Sequence, residues 1–410
     1  MNKQYIAAML RGLLIDLTGK PQMVIVDTER DTPQKVTDDA MKVEITSQGM
    51  PFGHTVDIIR AAYAVWKEKN NGAAAGMGEI ALPSCIALCT GTAIEGLFWT
   101  GSDLDCARDR LANKDASPRV ETTAVHGPAI FPQERAAVVQ NRIAVVTGGA
   151  QGIGEEIVRN LAVSGALVFI ADLNLAGAQQ LADQINAGEQ RTAALAVQVN
   201  VADEASVEAM FNTVVQNAGG MDMCISNAGV LKAGSVLEQE LADFKLVTDI
   251  NYTGFFIVSK YAARILKDQN RTAPRWKTDI IQINSKSGLE GSNKNGAYAG
   301  GKFGGLGLVA SFAMELIEYN IKVNAICPGN FLDGPLWSHP EKGLFVQYLQ
   351  TGKVPGAQTI ADVRAFYESK VPMKRGCTGK DLVRAIYYIV EQEYETGQAV
   401  PVTGGQIMLH

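Results

Sequence analysis

Residues 143–154 read IAVVTGGAQGIG, and this stretch decides the fold. Ile143 to Thr147 is a short apolar, β-branched run of strand type. Gly148, Gly152 and Gly154 follow at once, and a helical pattern then runs on through Ile157 and Leu161. A strand that turns into a helix over residues without Cβ atoms lets the backbone approach an anion, whose charge sits at the positive end of the helix. Gln151 and Ile153 complete the turn and join the three glycines as dinucleotide-binding candidates.

Further apolar runs at Leu167–Ala171, Leu195–Val199, Met223–Ser226, Ile280–Asn284 and Lys322–Ile326 alternate with helical stretches. That rhythm predicts repeated βαβ units and a Rossmann-like, doubly wound parallel sheet over residues 139–410. Asp172 follows the second run, eighteen residues after Gly154. A carboxylate there accepts hydrogen bonds from both adenosine ribose hydroxyls and repels a 2′-phosphate. No arginine lies beside it, so NAD is the expected cofactor.

Upstream, residues 113–138 carry Pro118, Gly127, Pro128 and Pro132 without sustained periodicity, which predicts a linker. Residues 1–112 predict a smaller α/β module to which no role is assigned. Ile6, Met9, Leu10, Leu13, Leu14 and Leu17 recur at helical spacing, Gln22–Asp27 reads as a strand, and Thr55–Trp66 and Ser102–Ala112 read as helices, with Ser102 as N-cap. Arg11 and Asp16 interrupt the opening apolar stretch, which argues against a signal peptide. Ile80–Trp99 nears membrane-spanning length but holds Pro83, Ser84, Thr90, Thr92 and Glu95, so a buried helix is expected there.

The composition, 47% hydrophobic and 20% charged, is that of a globular α/β protein and calls for no membrane. A formal net charge of −6 leaves no basic footprint, so no nucleic-acid partner is expected. The six cysteines form no dense framework, and a reducing cytoplasm is the expected compartment. Cys85 and Cys89 have the spacing of neighbours on one helical face. Further ligands are missing, the four histidines are unpaired, and no metal is expected.

Tyr298 and Lys302 lie four apart in AYAGGKFGGLG, a spacing that puts both on one helix face. An ammonium beside a phenol favours its ionised form, so Tyr298 is a candidate base. Ser285, thirteen residues earlier at the end of a predicted strand, can orient a substrate oxygen. Oxidising an alcohol requires a base for the hydroxyl proton as hydride leaves the carbon, and these groups supply one.

Taken together, the glycine motif, NAG at Asn227 to Gly229, Asn251 in DINYTG, Ser285, Tyr298, Lys302 and CPG at Cys327 to Gly329 resemble the short-chain dehydrogenase/reductase family in order and spacing, from about Asn141 to His410. The resemblance implies that Tyr298 is the acid/base and that Ser285 orients the alcohol or carbonyl. It implies that Lys302 binds the nicotinamide ribose and lowers the tyrosine pKa, and that Asn251 holds a water through which Lys302 relays protons. Asn200, Val201, Asn227, Gly229, Pro328 and Gly329 join the cofactor-binding set on the same ground, and a homodimer or homotetramer is implied through the helix beginning near Tyr298 and the one around Asp243 to Lys267. Two positions depart from the family pattern. Asp333 stands where many members carry a threonine that touches the nicotinamide, and Asn200 stands where many carry an aspartate.

The segments IQINSKSG, KFGGLGL, PGNFLDGPLW, VPMKRGC and TGQAVPVTGGQIM are similar to the sorbitol-6-phosphate 2-dehydrogenase branch of that family. This implies interconversion of sorbitol 6-phosphate and fructose 6-phosphate with NAD. A phosphate needs a cation, and Lys286, His339, Lys342, Lys370 and Lys374 are candidates; Lys286, beside Ser285, is preferred as a substrate-binding residue with Ser285 and Tyr298. Arg375 is expected to tie down its loop. A dehydrogenase of an unphosphorylated polyol is the nearest alternative, and a nucleotide-sensing or assembly subunit is the alternative from another class.

Overall fold

The computed structural model describes residues 3–18, 20–26, 40–44, 52–70, 83, 85–90, 93–101, 104–112 and 137–408, except 342, 351 and 353. The apolar spacing of the opening segment produces helix α1 (Lys3–Thr18). Strands β1 (Met23–Val26) and β2 (Met41–Glu44), helix α2 (Phe52–Asn70), strands β3 (Cys85–Thr90) and β4 (Ala93–Gly101) and helix α3 (Leu104–Ala112) follow. The strands form a small sheet in the order β1–β4–β3–β2, antiparallel except for the β2–β3 pair. Ile6, Leu10 and Leu14 from α1 and Ile59, Tyr63 and Trp66 from α2 pack with Val24, Val43, Ile86 and Phe98 of this sheet.

The helix expected over Ile80–Trp99 is not formed. Its apolar run is split between the antiparallel strands β3 and β4, so Cys85 and Cys89 belong to a strand. The successive residues Cys85, Ile86 and Ala87, and Phe98 and Trp99, are all buried, and a strand enclosed on both faces reads as a continuous apolar run that periodicity cannot tell from a buried helix. Ser102, expected to cap α3, lies outside the described residues, as do residues 113–136 of the expected linker.

The second sheet holds β5 (Ile143–Thr147), β6 (Leu167–Asp172), β7 (Ala194–Gln198), β8 (Met223–Ser226), β9 (Thr278–Ile283), β10 (Ile321–Pro328) and β11 (Ala399–Val402). All pair in parallel, in the order β11–β10–β9–β8–β5–β6–β7. The connecting helices are α4 (Gly152–Val163), α5 (Leu175–Glu189), α6 (Glu204–Ala218), α7 (Leu241–Thr248), α8 (Gly254–Thr272) and α9 (Gly296–Leu316). Beyond β10 come α10 (Pro335–Ser338), α11 (Leu344–Gln350), α12 (Ile360–Ser369) and α13 (Gly379–Glu391). The sheet is the doubly wound one expected, and its order reverses between β5 and β8, where ligands of such sheets bind beyond the strand ends.

Core residues lie on both faces of this sheet, one group involving α6, α8 and α9 and the other α4, α5 and α13. The small sheet joins the first group: Met23, Ile25, Leu104 and Ala107 belong to the same cluster as Met210, Phe211 and Val214 of α6. Helix α1 also lies against α8 so closely that a Cβ at Gly12 would stand 2.1 Å from the Gln269 carbonyl oxygen. Beside it Arg11, fully buried, forms a 2.7 Å ion pair with Asp222 and donates to the Gln22 carbonyl. Asp222 also accepts from the Ile143 N–H and from Trp276 Nε1. One carboxylate thus ties α1 to the origin of β5 and to the residues entering β8 and β9. Removing one partner of a buried pair strands the other charge, at about 3–5 kcal/mol.

Candidate active site

The glycine turn is built against the loop after β8. Thr147 Oγ1 accepts from the N–H groups of Asn227 and Ala228, and Asn227 Nδ2 donates to the carbonyls of Thr147 and Gly148 at 3.0 Å. Gly148 has φ +62°, and a Cβ on it would press on the Ala228 backbone at 2.9 Å. At Gly154 a Cβ would stand 2.0 Å from the Gly148 carbonyl oxygen. Gly152, φ +59°, would place one only against Pro335 of α10, at 3.5 Å. Gln151 is the N-cap of α4 without a side-chain cap bond, and Ile153 packs onto the core. The free N–H groups of the α4 N-terminus thus open onto a surface lacking side chains, which fits a pyrophosphate.

Asp172 closes β6. Its carboxylate accepts from the Ala150 N–H at 3.0 Å and the Asn174 N–H at 2.9 Å, which fixes it beside the glycine turn with lone pairs to spare. Asn200 and Val201 follow β7; the Asn200 side chain accepts from Ala202 N–H, and Val201 is buried near Gly254. Pro328 ends β10, and the Gly329 N–H donates to Val402 of β11. These groups line the same end of the sheet, around the reversal of strand order, and an adenine dinucleotide fits that arrangement.

The reactive groups sit next to them. Ser285 leaves β9 and caps a 3-10 turn, Lys286–Gly288, accepting from the Ser287 N–H at 3.1 Å. The Tyr298 hydroxyl lies close enough for the Ser285 side chain to favour its ionised form. Lys302, one turn along α9, is buried, donates to the Ile283 carbonyl at 2.9 Å and lies 5.6 Å from the Tyr298 ring centroid. Burial takes the lysine down to about 8. The tyrosine departs from expectation: burial raises its pKa, and the opposing influence is the Ser285 side chain rather than the ammonium. Lys302 directs its ammonium to the Ile283 carbonyl rather than to the phenol oxygen.

Asn251 lies in a π-turn, Asp249–Thr253, between α7 and α8. Such turns recur at functional sites. Its amide accepts from the Val230 N–H at 2.8 Å and donates to the Val230 carbonyl at 2.9 Å, so the side chain anchors the strand-end loop. Gly229 lies beside it: a Cβ there would stand 3.2 Å from Asn251 Oδ1. Two groups with comparable duties escaped the sequence reading. Thr147 holds the two loops together, and Asn284 accepts from the Ser285 N–H while donating to the Lys302 carbonyl. Thr147 was visible only as the last residue of a strand, and nothing in the sequence links Asn284 to Lys302.

The comparisons agree with this geometry. The short chain dehydrogenase family profile matches residues 142–339. Sorbitol-6-phosphate 2-dehydrogenase of Escherichia coli (strain K12) is 34% identical over 273 residues, 65% of this chain and 99% of that protein. This chain is a short-chain dehydrogenase. Meso-2,3-butanediol dehydrogenase of Serratia marcescens is 29% identical over 255 residues, 59% of this chain and 96% of that one. The crystal structure of sorbitol-6-phosphate 2-dehydrogenase from Erwinia amylovora superposes with a TM-score of 0.60 at 38% identity, over 65% of this chain and 100% of the other. Oxidoreductase chemistry and the Rossmann-like fold therefore hold for this chain.

On the substrate side, α10, α11 and α12 carry their own small core, in which Trp337 meets Phe345, Tyr348 and Tyr367. Asp333, the departure from the family pattern, is taken up by Arg364 at 2.7 Å, and Arg364 also binds Glu368 at 2.8 Å. Arg375 grips Asp381 with both nitrogens, at 2.6 and 2.9 Å, and holds that carboxyl down at about 2. Lys286 is half-buried beside Ser285, and desolvation lowers its pKa. Among the described residues no group of three or more His, Cys, Asp and Glu could hold a metal, and no helix is long and apolar enough to cross a membrane.

Proposed function

We propose that the chain interconverts a polyol phosphate and its ketone with NAD, the pair being sorbitol 6-phosphate and fructose 6-phosphate. The observation that carries this is the union of Ser285, Tyr298 and Lys302 beside the glycine turn, in a chain that is 34–38% identical to two sorbitol-6-phosphate dehydrogenases. When bound, NAD supplies the hydride acceptor. Gly148, Gln151, Gly152, Ile153 and Gly154 would hold its pyrophosphate, Asp172 its adenosine ribose, Asn200 and Val201 its adenine side, and Asn227, Gly229, Pro328, Gly329 and Lys302 its nicotinamide half.

Ser285 fixes the substrate oxygen and Tyr298 takes its proton as the carbonyl forms; in reduction the same hydroxyl returns it. Lys302, near neutrality at about 8, is suited to pass that proton onward, and Asn251 keeps its loop in register. A phenol raised by burial makes oxidation the alkaline direction. Lys286 reads the phosphate, and Asp172 selects NAD over NADP.

The enzyme works in the reducing cytoplasm as a homodimer or homotetramer. The supports are the free thiols of Cys224, Cys327 and Cys377 and the apolar side chains exposed on α7 to α9, among them Leu241, Phe244, Phe256, Phe303 and Met314. Light scattering that finds only monomers would count against the assembly.

The test is a panel of sorbitol 6-phosphate, free sorbitol and 2,3-butanediol with NAD or NADP, followed by nicotinamide absorbance. Sorbitol 6-phosphate with NAD is expected to give the highest kcat/KM. A preference for free sorbitol would move the assignment to an unphosphorylated polyol, equal use of both cofactors would remove Asp172's role, and silence on every alcohol would leave a nucleotide-binding subunit.

A further inference from the structure

Two buried amides stand where β9 meets the helix that carries Tyr298 and Lys302. Gln282 lies in β9, and Asn284 follows just beyond it, where its N–H still donates to the Ile326 carbonyl of β10 at 2.7 Å. Residues two apart on a strand share one face of the sheet. Ile280, on the same face, belongs to one core cluster with Val309 and Ala313 of α9, as a parallel strand enclosed by helices requires. Gln282 and Asn284 are only 2% and 3% exposed, yet they are polar. A buried amide has to be hydrogen-bonded, and its partners show what it holds.

Asn284 uses both ends of its amide. Its Nδ2 donates to the Gln282 side chain at 2.7 Å and to the main-chain carbonyl of Lys302 at 3.0 Å, while its Oδ1 accepts from the Ser285 N–H at 2.8 Å. One planar group of fixed size thus sets the spacing between the backbone of the serine and the backbone of the lysine. The Lys302 ammonium returns to the same strand end, donating to the Ile283 carbonyl at 2.9 Å. Glycines make room for the amides. A Cβ on Gly288 would stand 2.2 Å from Asn284 Oδ1, and one on Gly305 of α9 would stand 2.5 Å from Gln282 Nε2.

We propose that Asn284 is a positioning residue for the dehydrogenase reaction, a spacer backed by Gln282 that holds Ser285 in register with the Tyr298–Lys302 face of α9. The spacer rests on the roles given above to Ser285, Tyr298 and Lys302. Tyr298 and Lys302 move together as parts of one helix, whereas Ser285 belongs to a strand end and a 3-10 turn. A tie between the two elements keeps the serine hydroxyl beside the phenol. An apolar residue at 284 would fill the space and leave that spacing to packing alone. Misplacing a reacting group by about 1 Å can cost about 10²-fold in rate.

The experiment measures Asn284→Ala, Ser285→Ala and the double variant in the full-length enzyme. Each is assayed on whichever alcohol of the panel above the unmodified enzyme oxidises fastest, so a wrong choice of substrate leaves the test intact. Asn284→Ala is expected to lower kcat by about 10- to 100-fold, with KM, and the Kd of NADH by fluorescence titration, within about two-fold. Made in Ser285→Ala, the same substitution should cost less than about three-fold, because it acts through the serine. The rising limb of kcat against pH should also move to higher pH, since the Ser285 side chain opposes the effect of burial on the Tyr298 phenol. Gly288→Ala removes no polar group but displaces Asn284 Oδ1, and it should reproduce the loss of kcat if Asn284→Ala does not fold. Equal losses in both serine backgrounds, an unmoved limb, or a lowered melting temperature with kcat intact overturns the spacer and spares the catalytic roles. A Ser285→Ala enzyme with its full rate, or silence on every alcohol, overturns those roles and the spacer with them.

Discussion

Two lysines are buried at opposite ends of the same sheet, and their surroundings differ. Lys322, at the start of β10, is 3.1 Å from Asp279 and donates to the carbonyls of Gln392, at 2.9 Å, and Ile389 around the C-terminus of α13. Lys302, at the other end, has the Ile283 carbonyl and, among the described residues, no carboxylate. Burial removes water from both ammonium groups. At the closed end a carboxylate and a helix C-terminus neutralise the charge, and the result is a fastening. At the open end the charge is left uncompensated, and burial brings the group down to about 8, where it can gain or lose a proton near neutral pH. The Arg11–Asp222 pair repeats the first arrangement.

The largest expected effect lies at the open end. Tyr298→Phe should lower kcat/KM by about 10³-fold, within the range for loss of a general acid–base group, with NAD affinity unchanged by fluorescence titration. Retention of most of the rate would place the base elsewhere. The two lysines should then separate stability from activity. Lys322→Met leaves Asp279 buried without its cation and should cost about 3–5 kcal/mol in denaturant unfolding, with kcat of the folded enzyme within about two-fold. Lys302→Met should lower kcat about 100-fold without that loss of stability. If both variants lost stability alike, the contrast between the two ends would fail.

The smallest effect is in pH dependence. Lys302 has a lower pKa in the folded chain, about 8, than its ordinary 10.5. Between those values the unfolded chain binds a proton that the folded one has released, so stability rises with pH across that window. Below about pH 8 the buried ammonium is a constant penalty. Melting temperatures from pH 8 to 10 should therefore rise for the unmodified enzyme relative to Lys302→Met. Parallel curves would mean that the lysine titrates normally.

Much of the dehydrogenase region was legible because its signals are local. The run before Gly148, the glycine turn, Asp172 at a strand end and the Tyr298–Lys302 spacing each lie within one element or one turn. The six strands of the large sheet that the sequence delimited, β5 to β10, fall within two residues of their expected limits. Signals that depend on distant partners were not legible. Arg11 reads in sequence as an interruption of an apolar helix, and its counter-charge is 211 residues away. Ile80–Trp99 was misjudged because enclosure on both faces erases the alternation that marks a strand.

The burial of Arg11 also bears on any attempt to shorten the chain. The two sorbitol-6-phosphate dehydrogenases are matched along nearly their whole length by about two thirds of this protein, which invites a cut near residue 137. Such a cut would discard the cation that faces Asp222 and strip Met23, Ile25, Leu104 and Ala107 from the cluster containing Met210, Phe211 and Val214. The fragment would keep every group assigned to catalysis and still show water an oily scar where α1, β1 and α3 had been. Aggregation is its expected fate, and a soluble variant would need that surface redesigned before its kinetics could be compared with those of its shorter kin.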